Sequence, residues 1–269
     1  MRRDSTPDFI EALARGLDVL RCFGPGRPSM TLAEVAAATG LARPTVRRIL
    51  ITLEQLGYVR SDDGAFALTP RVLELGTAYI GSQNLGDLAL PHLRALVRRT
   101  GESCSIAQLD GSDIVYVARV AVPKLVTLAV TVGTRFPAAA TSLGKVLLAD
   151  LPPRELDRVL AEPSRAGVRA HRPLEREELD AVLREVRARG WALTDEELAP
   201  GIRSVAAPVR DGSGRVTAAV NVNAHAAETP VDTLVEGHLP LLLAAAGEVS
   251  ADWEAWRARP LEVVSTDRG

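Results

Sequence analysis

The sequence predicts an α+β fold in two parts: a small helical N-terminal domain closed by a β-hairpin, and a larger domain in which helices flank an antiparallel sheet. Three observations support this prediction. Apolar residues recur at helical spacing up to residue 56, and a strand pair around Asp63-Gly64 follows them. From residue 84 onward, helical stretches alternate with short strand-like runs. With 269 residues, of which 46% are hydrophobic, the chain can bury two separate cores.

Charge and cysteine content restrict the functional class. The net charge is −2, so the chain is not basic throughout, yet residues 42–60 carry four Arg against one acidic residue. Cys22 and Cys104 lack metal-type spacing, which is typical of reduced thiols. Because the first residues show no signal-peptide pattern and no run approaches about 20 apolar residues, we expect a cytoplasmic protein without a membrane segment.

The first three helices are predicted from apolar spacing and from end signals. Residues 9–23 carry one apolar stripe, made by Phe9, Leu13, Leu17 and Leu20. Thr31 and Glu34 form the sequence pattern of a capping box, and the short helix that they start ends at Gly40. The next helix extends to about residue 56. Two short helices joined by a small turn are typical of a helix-turn-helix.

The start of the third helix carries the residues that we predict to contact DNA. Arginine is the side chain best matched to guanine and to phosphate, and a recognition helix presents its first turns to base edges. A hairpin over residues 58–69 predicts a wing. Helix pairs with surface arginines also occur in proteins that do not bind DNA, but a capped helix, a basic helix and a hairpin in this order favour duplex DNA. The predicted contacts are Arg43, Pro44, Thr45, Arg47, Arg48 and Arg60.

The chain is predicted to contain four segments. A winged helix-turn-helix domain occupies residues 1–69, and a linker helix follows over residues 70–83. The apolar face of the linker either contacts a second copy of the chain, together with residues 9–23, or packs on its own domain. The larger domain spans residues 84–257, and residues 258–269 are expected to form a flexible tail.

The larger domain alternates helices with strands. Helices are predicted over residues 90–101, 140–151, 153–162, 176–190 and 230–256. Strands are predicted over residues 103–109, 113–120, 125–130, 204–211 and 215–223.

One strand of the larger domain suggests a ligand pocket. By the period-two rule, Asn221, Asn223 and, at the strand end, His225 share one face. On an open face these side chains would simply meet water, but apolar neighbours on both faces favour a polar-lined pocket. The helix that starts at Thr141 or Ser142 could offer free N–H groups to an anion, although an ordinary helix cap has the same pattern.

No catalytic residue, metal site or cofactor is predicted. The four histidines, at positions 92, 171, 225 and 238, show no metal-binding spacing, and neither a Gly-x-Ser-x-Gly motif nor a phosphate loop occurs. The run Asp195-Glu196-Glu197 is interpreted as a solvated turn.

Long stretches of the sequence resemble the IclR family of bacterial transcription regulators. They are TLAEVAAATGLARPTVRRILITLEQLGYV, LTPRVLELG, VGTRFPAAATSLGKVLLA, TDEELAPGIRSVAAPVRD and RVTAAVNVNAH. The resemblance implies a winged helix-turn-helix, a linker helix and a GAF-like effector domain, in a homodimer or homotetramer that binds operator DNA. FIEALARGLDVLRCF and AAVNVNAHA are most similar to the subgroup that controls aromatic-acid catabolism in response to protocatechuate, 4-hydroxybenzoate or β-ketoadipate.

The same resemblance implies the effector-binding residues. They are Ser142, Leu143, Thr194, Ile202, Ser204, Asn221 and Asn223. Many family members carry an acidic residue at position 194, Cys at 204 and Ser-type residues at 221 and 223, so these departures make a bulkier polar ligand, or none, possible. We therefore predict a ligand-responsive transcriptional regulator of catabolic genes with a small organic acid as effector. An enzyme with a regulatory DNA-binding domain and a regulator that senses a protein partner are the alternatives.

Overall fold

The computed structural model describes residues 8–24, 26–76, 79, 84–123 and 130–258. Internal contacts divide the chain into two units, Met1–Ser82 and Gln83–Gly269. Most of the predicted strand 125–130, part of the predicted linker 70–83 and nearly all of the predicted tail 258–269 lie outside the described residues.

The N-terminal unit is a winged helix-turn-helix, as the sequence predicts. Its helices are α1 (Glu11–Arg21), α2 (Leu32–Thr39) and α3 (Arg43–Gln55). Its antiparallel sheet has the order β1-β3-β2 and consists of β1 (Ser29–Thr31), β2 (Val59–Asp62) and β3 (Ala65–Leu68). The sequence does not reveal β1, because three residues are too few to show the alternation of a strand.

Local end signals account for the turns of this unit. The Thr31 hydroxyl accepts a hydrogen bond from the N–H of Glu34, whose carboxylate accepts one from the N–H of Thr31, so the capping box forms as predicted. Gly40 ends α2 in the left-handed region with φ of 68°. Asp63 and Gly64 also have positive φ, which is the geometry of a tight hairpin turn whose twist matches the two strands of the wing.

The apolar stripe of α1 does not form the core of this unit. Val19 is the buried residue of α1, and it packs with residues of α2 and α3. Leu13 and Leu17, by contrast, are 61% and 48% exposed. They border an apolar groove of about 530 Å³ between α1 and α3. The stripe is therefore a surface feature of the single chain.

The larger unit combines helices with one antiparallel sheet, so the predicted α+β class is confirmed. Its helices are α4 (Leu85–Thr100), α5 (Ser142–Asp150), α6 (Pro153–Ala161), α7 (Arg176–Arg189) and α8 (Leu239–Arg257). Its strands are β4 (Ser103–Asp110), β5 (Asp113–Val120), β6 (Arg135–Pro137), β7 (Ala192–Asp195), β8 (Ile202–Arg210) and β9 (Val216–His225). Their order in the sheet is β6-β5-β4-β9-β8-β7. The two short edge strands, β6 and β7, were not predicted.

The sheet separates two apolar cores. On one face, α4 and α8 pack against a row of Val and Ala side chains that includes Val220 and Val222. On the other face, α5, α6 and α7 pack against Ala206 and Ala219. Adjacent residues of β9 therefore point to opposite cores, as the period-two rule predicts. The polar residues of β9 lie on the second face, next to α5.

Candidate functional site

The first two turns of α3 present arginines to solvent. Arg43, Arg47 and Arg48 are exposed, and none of them forms an ion pair with any residue that the structure describes. Val46, Leu50 and Leu53 hold the opposite side of the helix in the core. The three guanidinium groups lie near the positive end of the helix dipole, so this surface favours an anion.

The other predicted DNA contacts lie in two different environments. Pro44 is exposed in the first turn of α3, where its missing N–H leaves no intrahelical bond unmade. Thr45 is half-buried and borders the groove between α1 and α3, so it is less accessible than the arginines. Arg60 is exposed on the wing, and its guanidinium lies 3.9 Å from the Asp62 carboxylate. An exposed pair at that distance is weak and leaves Arg60 available.

The larger unit contains a small cavity between the sheet and the start of α5. Its volume is about 20 Å³, which is enough for a single water molecule. Five of the seven predicted effector residues line it: Thr194, Ile202, Ser204, Asn221 and Asn223. The remaining lining residues were not predicted and are Tyr116, Val130, Ala140, Thr141 and Leu198.

Strand register brings the polar residues of the cavity together. Asn223 pairs with Ser204 on β8, and Ser204 pairs with Thr194 on β7, so the three side chains form a row across the sheet. Asn221 is two residues away on the same face and is 3% exposed. Its Oδ1 has no hydrogen-bond partner among the described residues. Because a buried acceptor without a partner is costly, this atom marks a position for a polar ligand group or a water.

Ser142 and Leu143 are close to the cavity without lining it. The Ser142 and Ser204 hydroxyl oxygens are 2.6 Å apart, and the Thr194 hydroxyl oxygen is 3.2 Å from that of Ser204. Leu143 is buried in the core under the sheet. Ser142 is therefore linked to the cavity-lining residues by a chain of hydroxyl groups, and Leu143 is part of the apolar core.

The start of α5 is an ordinary capped helix end. The Thr141 hydroxyl accepts a hydrogen bond from the N–H of Gly144 at 3.0 Å. Gly144 lies against the backbone of Ala138 so closely that a Cβ atom would overlap it. This close packing explains the small residues of the segment without a ligand.

The run Asp195-Glu196-Glu197, which begins at the last residue of β7, does not form a solvated turn, so that interpretation is wrong. Lys145 on α5 is 1% exposed, and its Nζ donates to both carboxylate oxygens of Glu197, at 2.6 and 2.7 Å. Burial lowers the pKa of Lys145, and the Glu197 carboxylate opposes this shift. Asp195 pairs with Arg203, and Glu196 accepts a hydrogen bond from the N–H of Gly201. The segment that carries Leu198 and Ile202 is thus fixed to α5 and to the sheet.

The described residues contain neither a candidate membrane-spanning helix nor a metal-binding cluster. Among them, no helix is long and apolar enough to cross a membrane. The same residues contain no group of three or more His, Cys, Asp or Glu side chains arranged to hold a metal ion.

Known proteins resemble the chain in both units. The sequence pattern of the IclR helix-turn-helix domain matches residues 12–63, and that of the C-terminal domain of bacterial IclR transcriptional regulators matches residues 77–251. The chain is 40% identical over 247 residues to the Pca regulon regulatory protein of Pseudomonas putida, covering 90% of this chain and 84% of that protein. It is 36% identical over 256 residues to the p-hydroxybenzoate hydroxylase transcriptional activator of Acinetobacter baylyi, covering 91% and 92%.

A solved structure also matches both units. It is an IclR homologue from Microbacterium hydrocarbonoxydans in complex with 4-hydroxybenzoate. The TM-score is 0.77 at 25% identity, and the match covers 91% of this chain and all of that chain. The two sequence relatives are named as regulators, and the names of all three proteins agree with the subgroup that the sequence resembles.

Proposed function

The chain belongs to the IclR family of bacterial transcriptional regulators, and from this premise we propose that it controls genes of aromatic-acid catabolism in response to an organic acid. The single observation that carries the proposal is the cavity of the larger unit. Five positions implied by the family resemblance line it, and one of them ends in a buried carboxamide oxygen without a partner. The names of the similar proteins support an aromatic acid as the class of ligand.

The proposed DNA contacts are the exposed residues of α3 and the wing. Arg47 and Arg48 are separated by about 100° around the helix, so one of them can read a base edge while the other contacts phosphate. Arg43 and Arg60 add contacts to the sugar-phosphate backbone of the DNA, and Pro44 and Thr45 lie against the wall of the DNA groove. The support for this assignment is the absence of counter-ions for the α3 arginines within the described part of the chain.

The proposed effector contacts divide into a polar and an apolar set. Asn221 and Asn223 each offer two donors and one acceptor, which suits a phenolic hydroxyl or a second acid group. Ser204 and Thr194 add hydroxyl groups, with Ser142 behind them. Ile202 supplies apolar surface for a ring, and Leu143 packs in the core next to the cavity.

The size of the cavity requires the pocket walls to move on binding. About 20 Å³ cannot hold a benzoate, whose ring alone has six carbon atoms. Leu198 lies between β7 and β8, and Ile202 is the first residue of β8. Because the backbone of this segment is fixed, we expect the cavity to widen by changes in the side-chain rotamers of these two lining residues. The same small volume favours the alternative of a regulator that senses a protein partner, whereas the polar lining favours a small acid.

A homodimer is the proposed assembly. One winged domain reads a short half-site, so sequence specificity requires two copies on a pseudo-palindromic operator. The exposed Leu13 and Leu17 of α1 supply an apolar surface for this contact. Light scattering at micromolar concentration checks this assignment, and a monomer with full operator affinity contradicts it.

The test of the proposed function is a DNA-binding titration with and without acids. The DNA is the intergenic segment next to the gene for this protein, and the acids are protocatechuate, 4-hydroxybenzoate and β-ketoadipate. We expect one acid to change the apparent affinity or the mobility of the complex, and to be recovered chemically unchanged. Turnover of the acid would instead support the enzyme alternative. DNA binding that no acid affects, together with no heat of binding, contradicts the effector assignment.

A further inference from the structure

Arg119 on β5 places a half-buried guanidinium on the same sheet face as the cavity. Its Nη1 donates a hydrogen bond of 3.0 Å to the Ser105 hydroxyl on β4. Ser105 pairs in register with Arg119 on one side and with Asn221 on the other. The three side chains therefore stand side by side across three adjacent strands.

An irregularity in the sheet creates this arrangement. The register of β4 with β5 shifts between Ile106 and Ala107, so that Ala107 pairs with Tyr116 whereas Ser105 pairs with Arg119. One extra residue of β5 is accommodated between the two pairs, which is the geometry of a β-bulge. As a result Tyr116 and Arg119, three positions apart, face the same side, although strict alternation would place them on opposite sides.

The charge of Arg119 lacks a counter-ion. No carboxylate forms an ion pair with it among residues 8–24, 26–76, 79, 84–123 and 130–258. Other cations of the larger unit with restricted exposure do have partners: Lys145 binds Glu197, Arg203 binds Asp195, and Arg135 binds Asp110. A partly buried charge is costly unless it is paired. Arg119 therefore has an unused capacity for an anion.

The positive charge also reaches the cavity. Burial raises the pKa of the cavity-lining Tyr116 to about 12, and the nearby charge of Arg119 opposes that rise. Burial lowers the pKa of Arg119 itself from its usual value, yet a guanidinium keeps its charge at neutral pH. Asn221, two strands from Arg119, carries the buried Oδ1 without a partner. Neither Arg119 nor Ser105 lines the cavity in this structure, and Ser105 is fully buried. Neighbouring strands are about 4.8 Å apart, so a ligand that widens the cavity from Asn221 toward β5 reaches Arg119 two strands away.

We propose that Arg119 is the anchor for the carboxylate of an organic acid bound in this cavity. Its planar guanidinium donates two parallel hydrogen bonds to the carboxylate, while Ser105 holds the guanidinium in position and Asn221 contacts the neighbouring polar group of the ligand. This inference rests on the proposed function. It assigns the acid group to the sheet rather than to the start of α5, where Ser142 is already hydrogen-bonded to Ser204 and the N–H of Gly144 to Thr141.

Neutral ester analogues test the anchor without altering the protein. Calorimetric titration of the full chain compares 4-hydroxybenzoate and protocatechuate with their methyl esters, which keep the ring and hydroxyl groups but lack the negative charge. We expect each ester to bind about ten- to a hundredfold more weakly than an acid that binds, because a charge-assisted hydrogen bond is lost. An ester that binds wild-type protein as tightly as its acid overturns the inference.

Substitutions of Arg119 then test whether it is the residue that binds the carboxylate. Arg119→Gln is expected to weaken the acid about ten- to a hundredfold and to leave the affinity of the ester unchanged, whereas Arg119→Lys retains part of the affinity for the acid. Arg154→Gln, on the exposed surface of α6, is the matched control and should change neither affinity.

The possible failures can be told apart. An acid that binds wild type and Arg119→Gln equally overturns the anchor and leaves the proposed function intact. Equal losses for acid and ester, with a lower unfolding temperature, show a structural role and also overturn it. If neither acid binds wild-type protein by calorimetry or changes its DNA binding, the aromatic-acid assignment fails and the anchor fails with it.

Discussion

The two units use arginine in opposite ways. On α3, Arg43, Arg47 and Arg48 are exposed, and their charge lies within reach of any phosphate that approaches. On β5, Arg119 is partly removed from water and fixed by Ser105. The first arrangement gives affinity that is additive and sensitive to salt, and the second gives a directional contact that salt screens much less. In the proposed function, one chain thus combines salt-sensitive contacts to DNA with a directional contact to the acid group of a ligand.

Ion pairs of the larger unit also differ in their exposure to solvent. Lys145 and Glu197 form a pair that is almost completely removed from water, whereas Glu155 and Arg158 form a pair on the exposed side of α6. An exposed pair is well solvated when it is broken, so little is lost. A buried cation that loses its partner has no such alternative. Four substitution experiments measure how far this contrast extends, in order of expected effect.

The largest effect is expected from breaking the buried pair. Glu197→Gln leaves Lys145 in the interior without a counter-charge, so the free energy of unfolding should fall by about 3–5 kcal/mol. Urea denaturation of the full chain provides the measurement. The matched change in the exposed pair, Glu155→Gln, should cost less than about 1 kcal/mol. Similar losses in the two variants would remove the distinction between the environments.

A smaller effect is expected at the cavity. Asn221→Ala removes the cavity-lining carboxamide whose Oδ1 lacks a partner and should weaken a confirmed acid ligand by about 1–3 kcal/mol. Because the Oδ1 has no partner in the described chain, its removal should not lower the unfolding temperature. Calorimetry and thermal unfolding give the two readouts, and operator affinity without ligand serves as the control. Unchanged affinity for the acid would place the ligand elsewhere.

The effect of replacing an arginine of α3 depends on whether its side chain contacts a base or a phosphate of the DNA. Arg47→Ala or Arg48→Ala should weaken operator binding by about 1–3 kcal/mol if the side chain reads a base. If it contacts only phosphate, all sequences should weaken alike and the salt dependence should decrease by about one unit of slope. Gel-shift titrations at two salt concentrations separate these results, with Arg154→Ala as the control. Full affinity in both variants and in their double variant would exclude α3 as the recognition helix.

The sequence predicts local features far better than the contacts between distant strands. The capping box at Thr31, the turn at Gly40 and the hairpin at Asp63-Gly64 each depend on one short stretch of consecutive residues, and all three form. The face of Asn221 was also predictable, because alternation within one strand determines it. In the N-terminal unit, such local sequence information is sufficient to predict that the start of α3 exposes Arg43, Arg47 and Arg48.

The pocket depends on information that a single segment does not contain. Tyr116 and Arg119 face the cavity side together only because β5 accommodates one extra residue against β4, and nothing in DIVYVARV marks that shift. Lys145 and Glu197 are 52 residues apart, so their contact depends on how α5 packs on the sheet. The partners of buried charges are decided by such packing, which is why the interpretation of Glu197 as solvated was wrong.

His92 is intermediate in exposure between the buried and the exposed ion pairs, and its substitution is expected to have the smallest effect on stability. It lies on α4, is 20% exposed, and its ring nitrogens are 3.0 Å from the Glu248 carboxylate and 2.7 Å from that of Asp252, both on α8. Burial lowers the pKa of His92, but the hydrogen bonds and charges of Asp252 and Glu248 outweigh it, so the pKa is raised above its usual value. The protonated form therefore stabilises the folded state, and this stabilisation is present below the unfolded-state pKa of about 6.5. It is lost as pH rises through the higher folded-state pKa.

The consequence is a small decrease in stability as pH is raised through that window. We expect a loss of less than about 1 kcal/mol, because both carboxylates are largely exposed and solvent screens the pairs. Urea denaturation between pH 6 and pH 8 measures the slope, and His92→Gln should abolish this part of it, since Gln does not titrate there. His171→Gln serves as the control, because His171 has no ion pair with the described residues. If the slope is identical in wild type and His92→Gln, the pairs with α8 contribute nothing, and a partly exposed charge behaves in this fold like a fully exposed one.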